Sequence, residues 1–340
     1  MLRGTYTKSF VAPPLYQAYG PFDTRQVTGN IPAGVFSEDG LKAYTFNGED
    51  GNNPSLKPAT SVSRSIGFTF RPRLVNGLEV TADFSTINLY GFAGGIGFNN
   101  IFNSVNKLGA ASPFYKNLGE GNFVNFGGTD PFAAPGALAA YLAANPANVQ
   151  NLYVEDRFTN LAVLRERSWT LGVLYILPWT NEGTWTLSSN GAVFDSFEFE
   201  DGLGDPAIQY AGNASNLGVF AGTLPKYRFY STVDWAFHGL DITVANTYVS
   251  SVEDRGAGGT SLPAIAVSSY KAWDLRAAYD WHLGAVDSNT RLTLAVGVND
   301  IGNVMPPLAP RAFSNQNTNA DIATYSPIGR LVYGDLAVSF

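Results

Sequence analysis

The strongest constraint on this chain is a block-wise alternation of apolar and polar residues, with no apolar run long enough for a membrane-crossing helix. In 289–301, Leu292, Leu294, Val296 and Val298 share one parity, and Arg291, Thr293, Ala295 and Asn299 share the other. In 268–282, Trp273, Leu275, Ala277, Tyr279 and Trp281 oppose Asp274, Arg276, Ala278 and Asp280. In 225–237, Tyr227, Phe229, Val233, Trp235 and Phe237 oppose Arg228, Thr232 and Asp234. Successive side chains of a β-strand point to opposite faces, so each block predicts a strand with one apolar and one polar face. Ten strands are expected, over 2–10, 60–71, 77–91, 158–177, 184–198, 225–237, 240–252, 268–282, 289–301 and 326–340.

Half-buried strands of soluble sandwiches alternate too, so the connectors carry the distinction. Segments 11–59, 92–157, 199–224, 253–267 and 302–325 are long, and 72–76, 178–183, 238–239 and 283–288 between them are short. An antiparallel membrane barrel with turns at one end and loops at the other has this order. Structureless loops of such length are uncommon inside a compact soluble domain. Charged residues are 14% of the chain, against about 25% in soluble domains, which suits a surface facing lipid. Tyr90, Phe92, Trp179, Trp185, Tyr248 and Trp281 stand near strand ends, where an interfacial girdle places aromatics. The expected fold is all-β, an antiparallel transmembrane β-barrel portion of about ten strands.

Chemistry is sparse. With no Cys, and with His238 and His282 each beside a short connector, neither a zinc cluster nor a Ser-His-Asp arrangement is expected. A net charge of −7 without a dense Lys/Arg cluster speaks against nucleic acid as a partner. "GFAGGIGFNN" (91–100) lacks the spacing and the following helix of a phosphate-binding loop, and reads as a loop or strand-end bend. Glu198, Glu200, Asp201 and Asp205 do not match a calcium-loop spacing. "PGALAAYLAANP" places Leu138, Tyr141 and Leu142 on one face of a short helix that packs onto its own loop. Asp274 and Arg276 are expected to satisfy one another in the barrel interior. No catalytic, cofactor-binding or metal-ligating residue is expected.

Four motifs resemble the C-terminal half of TonB-dependent outer-membrane receptors. "LRGTYTKSFVAPPLYQAY" resembles that family's strand-to-loop segment, and "NPSLKPATS" its N-P-x-L-K-P-E-x-S element, through Asn53, Pro54, Leu56, Lys57 and Pro58. "LTLAVGVNDIGN", with Asn299 and Asn303, is similar to the penultimate strand and its ending. "YSPIGRLVYGDLAVSF", with Gly329 and Arg330, is similar to the terminal strand closing on an aromatic residue. Val11 stands where the family has Arg, Ala59 where it has Glu, and Gly302 where an aromatic is common. The resemblance runs from residue 1 to residue 340, with no plug domain and no energy-coupling box, so it implies an incomplete, open barrel.

The same resemblance implies that Leu336, Val338 and Phe340 form the signal captured by the barrel-insertion machinery. The short connectors would be periplasmic turns and the long ones extracellular loops. It further implies a non-enzymatic receptor of a Gram-negative-type outer membrane, in contact with its lipid. Intact relatives import a scarce nutrient such as a siderophore, cobalamin or a saccharide, with energy from the inner-membrane TonB partner. "MLRGTYTKSF" reads as a strand rather than a secretory signal. A complete ten-stranded passive pore and a soluble carbohydrate-active β protein are the alternatives.

Overall fold

The computed structural model describes residues 1–21, 23–31, 42–118, 133–138, 140, 153–179, 181–200, 207–217, 220–256, 263–282, 290–313 and 318–339. Ten strands run through one antiparallel sheet: β1 (Leu2–Val11), β2 (Ala59–Phe70), β3 (Leu78–Gly94), β4 (Thr159–Trp179), β5 (Gly183–Glu200), β6 (Tyr227–Phe237), β7 (Leu240–Val249), β8 (Tyr270–His282), β9 (Arg291–Asn299) and β10 (Leu331–Ser339). Each strand pairs with its neighbour in this order, and a two-residue strand, Ile208–Gln209, adds beside β5.

All ten fall where the alternation places them, with two ends shortened by more than two residues. The segment 326–330 is not strand, because Gly329 (φ 69°) turns the chain and the Arg330 amide is held by Asn303. Residue 252 is not a continuation of β7, because Val252 opens a separate strand in the loop layer.

The ladders sort the side chains onto two faces. Tyr279 pairs with Leu294 and Leu294 with Leu336, while Leu275 pairs with Val298 and Phe229 with Tyr248. Leu292, Leu294, Val296, Val298, Leu275, Tyr279, Phe229 and Val233 therefore share one face, and Arg291, Arg276, Asp274, Arg228 and Asp234 share the other. The apolar face is bare among the described residues: Val296 is 56% exposed, Leu336 65% and Val332 71%. Such a face in a soluble protein is covered by a second layer. On the polar face hydroxyls and carboxylates join neighbouring strands, with Thr5 on Ser65 at 2.6 Å, Ser85 on Ser168 at 3.0 Å and Ser188 on Thr232 at 2.8 Å. There Thr243 donates to Asp234 at 2.6 Å, and Thr293 donates to Asp280 at 2.5 Å.

Aromatic rings gather at both ends of the apolar face. Trp185 lies 6.0 Å from Trp235, and Tyr279 4.6 Å from Trp281, at the turn end. Tyr227 stacks on Tyr248 at 6.5 Å toward the loops, whereas the Trp179 side chain falls outside the described residues. The hairpin between β6 and β7 turns on His238 (φ 47°) and Gly239 (φ 86°), the double positive φ of a type I′ turn, which matches strand twist.

The outer strands are each paired on one side. β1 bonds to β2 and β10 to β9, and among the described residues no ladder joins β1 to β10. The sheet is open.

Candidate functional site in the loop layer

Antiparallel order puts every long connector at the same end of the sheet, and these connectors interlock. Asp23–Ile31 pairs with Lys42–Gly51, which in turn pairs in parallel with Tyr153–Arg157 from a different connector. Phe220–Leu224, Asn213–Leu217, Val252–Gly256 and Ile265–Val267 form a second small sheet, again linking two connectors. Ala214, Val252, Val267, Ala309, Ala312 and Phe313 make a core beneath it. Phe199 and Tyr210 pack with Ala162 in another, reached because a bulge opposite Arg167 and Ser168 shifts the parity of β5.

Buried aspartates hold these loops through backbone amides. Asp254, fully buried, accepts from the amides of Gly256 (3.0 Å), Arg311 (2.8 Å) and Ala312 (3.0 Å). Asp321 accepts from Thr223 at 2.9 Å and Ala323 at 3.0 Å. Asp300 accepts from Val304 at 2.8 Å, while its own amide donates to Asp274 at 2.7 Å. A carboxylate with several amide donors is a strong, charge-assisted anchor. The sequence reading missed these residues, since each joins segments distant along the chain.

The motif positions lie at strand-to-loop joints. Asn53 Oδ1 accepts from the Ser55 amide at 2.9 Å, forming a turn with Pro54 and Leu56 ahead of Pro58 and β2. Asn53 Nδ2 donates to Phe158 O at 2.8 Å. Lys57 is clasped by Asn160, which accepts from its amide and donates to its carbonyl, both at 2.8 Å. Asn303 Oδ1 accepts the Arg330 amide at 3.0 Å, and the Arg330 guanidinium donates to Ile301 O at 2.6 and 3.0 Å. A Cβ on Gly329 would stand 2.6 Å from Asn303 Oδ1 at a positive φ, so this joint needs glycine. Asn299 ends β9 opposite Leu331. Leu336 and Val338 lie on the apolar face, and Phe340 lies outside the described residues. Val11 and Ala59, the two departures from the family motif, stand opposite one another, so an apolar pair occupies a position where the motif has two charges.

Two expectations are corrected. The stretch 91–100 does lead into a helix, α1 (Phe98–Leu108), whose Ile101, Phe102 and Val105 are fully buried. Its N-terminal region is already served by an anion of the chain, because Asp156 accepts from the amides of Ile96 (2.7 Å) and Gly97 (2.9 Å). Arg276 lies 3.5 Å from Asp241, and Asp274 takes the Asp300 amide, so Asp274 and Arg276 do not satisfy one another. Glu200 bonds to Arg165 at 2.9 Å. Asp201, Asp205, Tyr141 and Leu142 lie outside the described residues, and Leu138 is fully buried. Among the described residues no group of three or more His, Asp or Glu could hold a metal ion.

Burial raises the pKa of two loop groups, Glu49 and Tyr325. Burial and then Glu155 raise the Glu49 carboxyl above its usual range, with Arg157 opposing. Burial and then Asp321 push the Tyr325 phenol up to about 12, with Arg228 opposing.

The open two-faced sheet with loops at one end can be set against known structures. No family model and no curated protein matches the chain. A variant of the ferric enterobactin receptor PfeA from Pseudomonas aeruginosa, in complex with enterobactin, superposes with a TM-score of 0.59 and 17% identity over 99% of this chain. The fold is shared. PfeA in complex with BCV-L6 gives the same score, and the siderophore receptor PirA from Acinetobacter baumannii gives 0.52 at 15% identity over 98% of this chain. The chain spans 38% of the length of each of these receptor structures. At such identities the likeness is one of fold, and function has to be argued from the faces and loops.

Proposed function

We propose that residues 1–340 are the C-terminal barrel portion of a TonB-dependent outer-membrane receptor, without its plug. The observation that carries this reading is the pairing of a bare apolar face with a hydrogen-bonded polar face on one ten-stranded sheet. Lipid against the first and a wet or plugged interior against the second satisfy both. The shared receptor fold supports it. In this reading the long connectors are extracellular and the short ones periplasmic, and Leu336, Val338 and Phe340 address the insertion machinery. The motif residues Asn53, Pro54, Leu56, Lys57, Pro58, Asn299, Asn303, Gly329 and Arg330 brace the loops and do not touch ligand. The role is import without catalysis: a small nutrient is bound by loops and plug of the whole receptor and released inward by the energy-coupling partner. Since the PfeA structure is a complex with enterobactin, ferric siderophores are the first ligands to try.

The absence of Cys allows a direct test of the faces. Single cysteines at Leu294, Val296, Thr293 and Ala295 would be labelled with a fluorophore in mixed micelles containing brominated phospholipid. Strong quenching at Leu294 and Val296 with little at Thr293 and Ala295 is expected. Equal quenching at both parities, or a monodisperse chain in water without detergent, would refute the lipid-facing reading.

A further inference from the structure

The apolar face does not run unbroken to the loops. On β4 the outward residues Leu171 and Trp169 give way to Arg167 and Arg165, and on β2 Phe68 and Ile66 give way to Arg64. The registers bring these cations into two adjacent rows. One row reads Tyr6, Arg64, Thr86 and Arg167 across β1 to β4, and the next reads Lys8, Val62, Asn88 and Arg165. Directly below lies an apolar row of Ile66, Phe84 and Trp169, with the last two rings 4.9 Å apart. Rows on one face are about 7 Å apart and neighbouring strands about 4.8 Å, so Arg64 and Arg167 start about 10 Å apart with Thr86 between them.

These charges are mostly uncommitted. Lys8, Arg64 and Arg167 are exposed, and among the described residues none makes a hydrogen bond or an ion pair. Arg64 lies over the Tyr6 ring at 5.8 Å. Arg165 is held by Glu200, and the nearby acids Asp195, Glu198 and Glu200 all lie on β5, beyond Arg167 from Lys8 and Arg64. In a chain of net charge −7, three cations that make no ion pair among the described residues, grouped with a hydroxyl and an amide on one tile, form a local positive patch complementary to an anion. The tile sits on the outward face at the upper edge of the apolar band, the level of lipid headgroups if that band faces hydrocarbon.

We propose that Lys8, Arg64, Thr86, Asn88 and Arg167 form a docking surface for the phosphate of an anionic membrane lipid in the leaflet on the loop side. The inference rests on the lipid-facing reading of the apolar face. Arginines bind phosphate through paired N–H donors, and Ile66, Phe84 and Trp169 receive the acyl chains below.

The test uses the whole chain in neutral detergent micelles, titrated with dioleoyl phosphatidic acid, with dioleoylglycerol and with inorganic phosphate, and read by tryptophan fluorescence. Phosphatidic acid is expected to bind, and the double variant Arg64→Gln with Arg167→Gln to weaken it about tenfold or more. The pair Arg64→Lys with Arg167→Lys should retain most of the binding, and Arg71→Gln at the turn end should leave it unchanged, which separates lost charge from lost folding. Equal binding of dioleoylglycerol, equal competition by inorganic phosphate, or unchanged binding by the folded glutamine variant would overturn the site. A chain that takes up detergent but shows no phosphate preference loses only this site. A chain that takes up no detergent loses the lipid-facing reading as well.

Discussion

Arg3 and Asp83 meet across an intervening strand. Arg3 on β1 stands opposite Gly67 on β2, and Gly67 opposite Asp83 on β3. Arg3 Nε donates to Asp83 Oδ1 at 2.6 Å, and its Nη2 donates to Oδ2. The bidentate pair exists because Gly67 has no side chain, and a Cβ there would collide with the Asp83 carboxylate. Gly67→Ala and Asp83→Asn are each expected to loosen β1, read as faster amide exchange at residues 2–8. The double variant should be no worse than the more damaging single one. Additive effects would mean that Arg3 is held by other contacts.

Asp254 should be the most costly loop position to change. Its carboxylate answers three amides from two connectors at a fully buried site. Asp254→Ala leaves those donors unpaired, at about 1–3 kcal/mol each where water cannot enter, so a local loss on the order of 3 kcal/mol is expected. Asp254→Asn keeps one acceptor oxygen and should fall between. Limited proteolysis within 253–267 and 302–313, with the sheet's circular dichroism unchanged, is the measurement. Equal resistance of wild type and Asp254→Ala would contradict the anchor.

Tyr325 gives a pH dependence with a definite sign. Its ring packs on Tyr270 at 5.4 Å, and its buried hydroxyl makes no hydrogen bond among the described residues. With a folded value near 12 against an ordinary 10.0, the neutral phenol favours the folded state. That contribution is complete below pH 10.0 and is lost as pH rises through about 12. The stability difference between wild type and Tyr325→Phe should therefore change only in this window. At neutral pH Tyr325→Phe should be more stable by about 1 kcal/mol, because an unsatisfied buried hydroxyl is removed. A lower stability of Tyr325→Phe would point to a hydrogen-bond partner for the hydroxyl.

The strands were legible because period 2 is a local property: Leu292 to Val298 declare their face without knowing their partners. The joints were partly legible, as Asn53, Asn303, Gly329 and Arg330 stand out by motif, whereas Asn160 clasps Lys57 from the start of β4. The helix α1 carries Phe98, Ile101, Phe102 and Val105 at helical spacing, but Asn and Phe are poor helix formers and no side chain caps it locally. Its anchor, Asp156, arrives from the far end of the same connector, about sixty residues on. Period, not composition, would have found it. The strands of the loop layer were missed because they show little alternation of their own, and two of their ladders, Lys42–Gly51 with Tyr153–Arg157 and Asn213–Leu217 with Val252–Gly256, join different connectors.

The two free edges set the last prediction. β1 exposes Leu2, Tyr6 and Phe10 and β10 exposes Val332, Leu336 and Val338, and each strand presents one row of backbone groups without a ladder among the described residues. In hydrocarbon each unpaired N–H or C=O costs several kcal/mol, so two such edges outweigh the gain from inserting the apolar face. An exposed edge is also a template for another chain. Residues 1–340 refolded alone into lipid vesicles should therefore aggregate or associate through β1 and β10, without forming a defined pore. The measurement is heat-modifiable migration on gels together with efflux of a small sugar from loaded vesicles. A discrete, protease-resistant monomer that conducts the sugar would replace the receptor-portion reading with the passive pore. A chain carrying further strands and a plug upstream should give a stable monomer that holds the sugar until the energy-coupling partner acts.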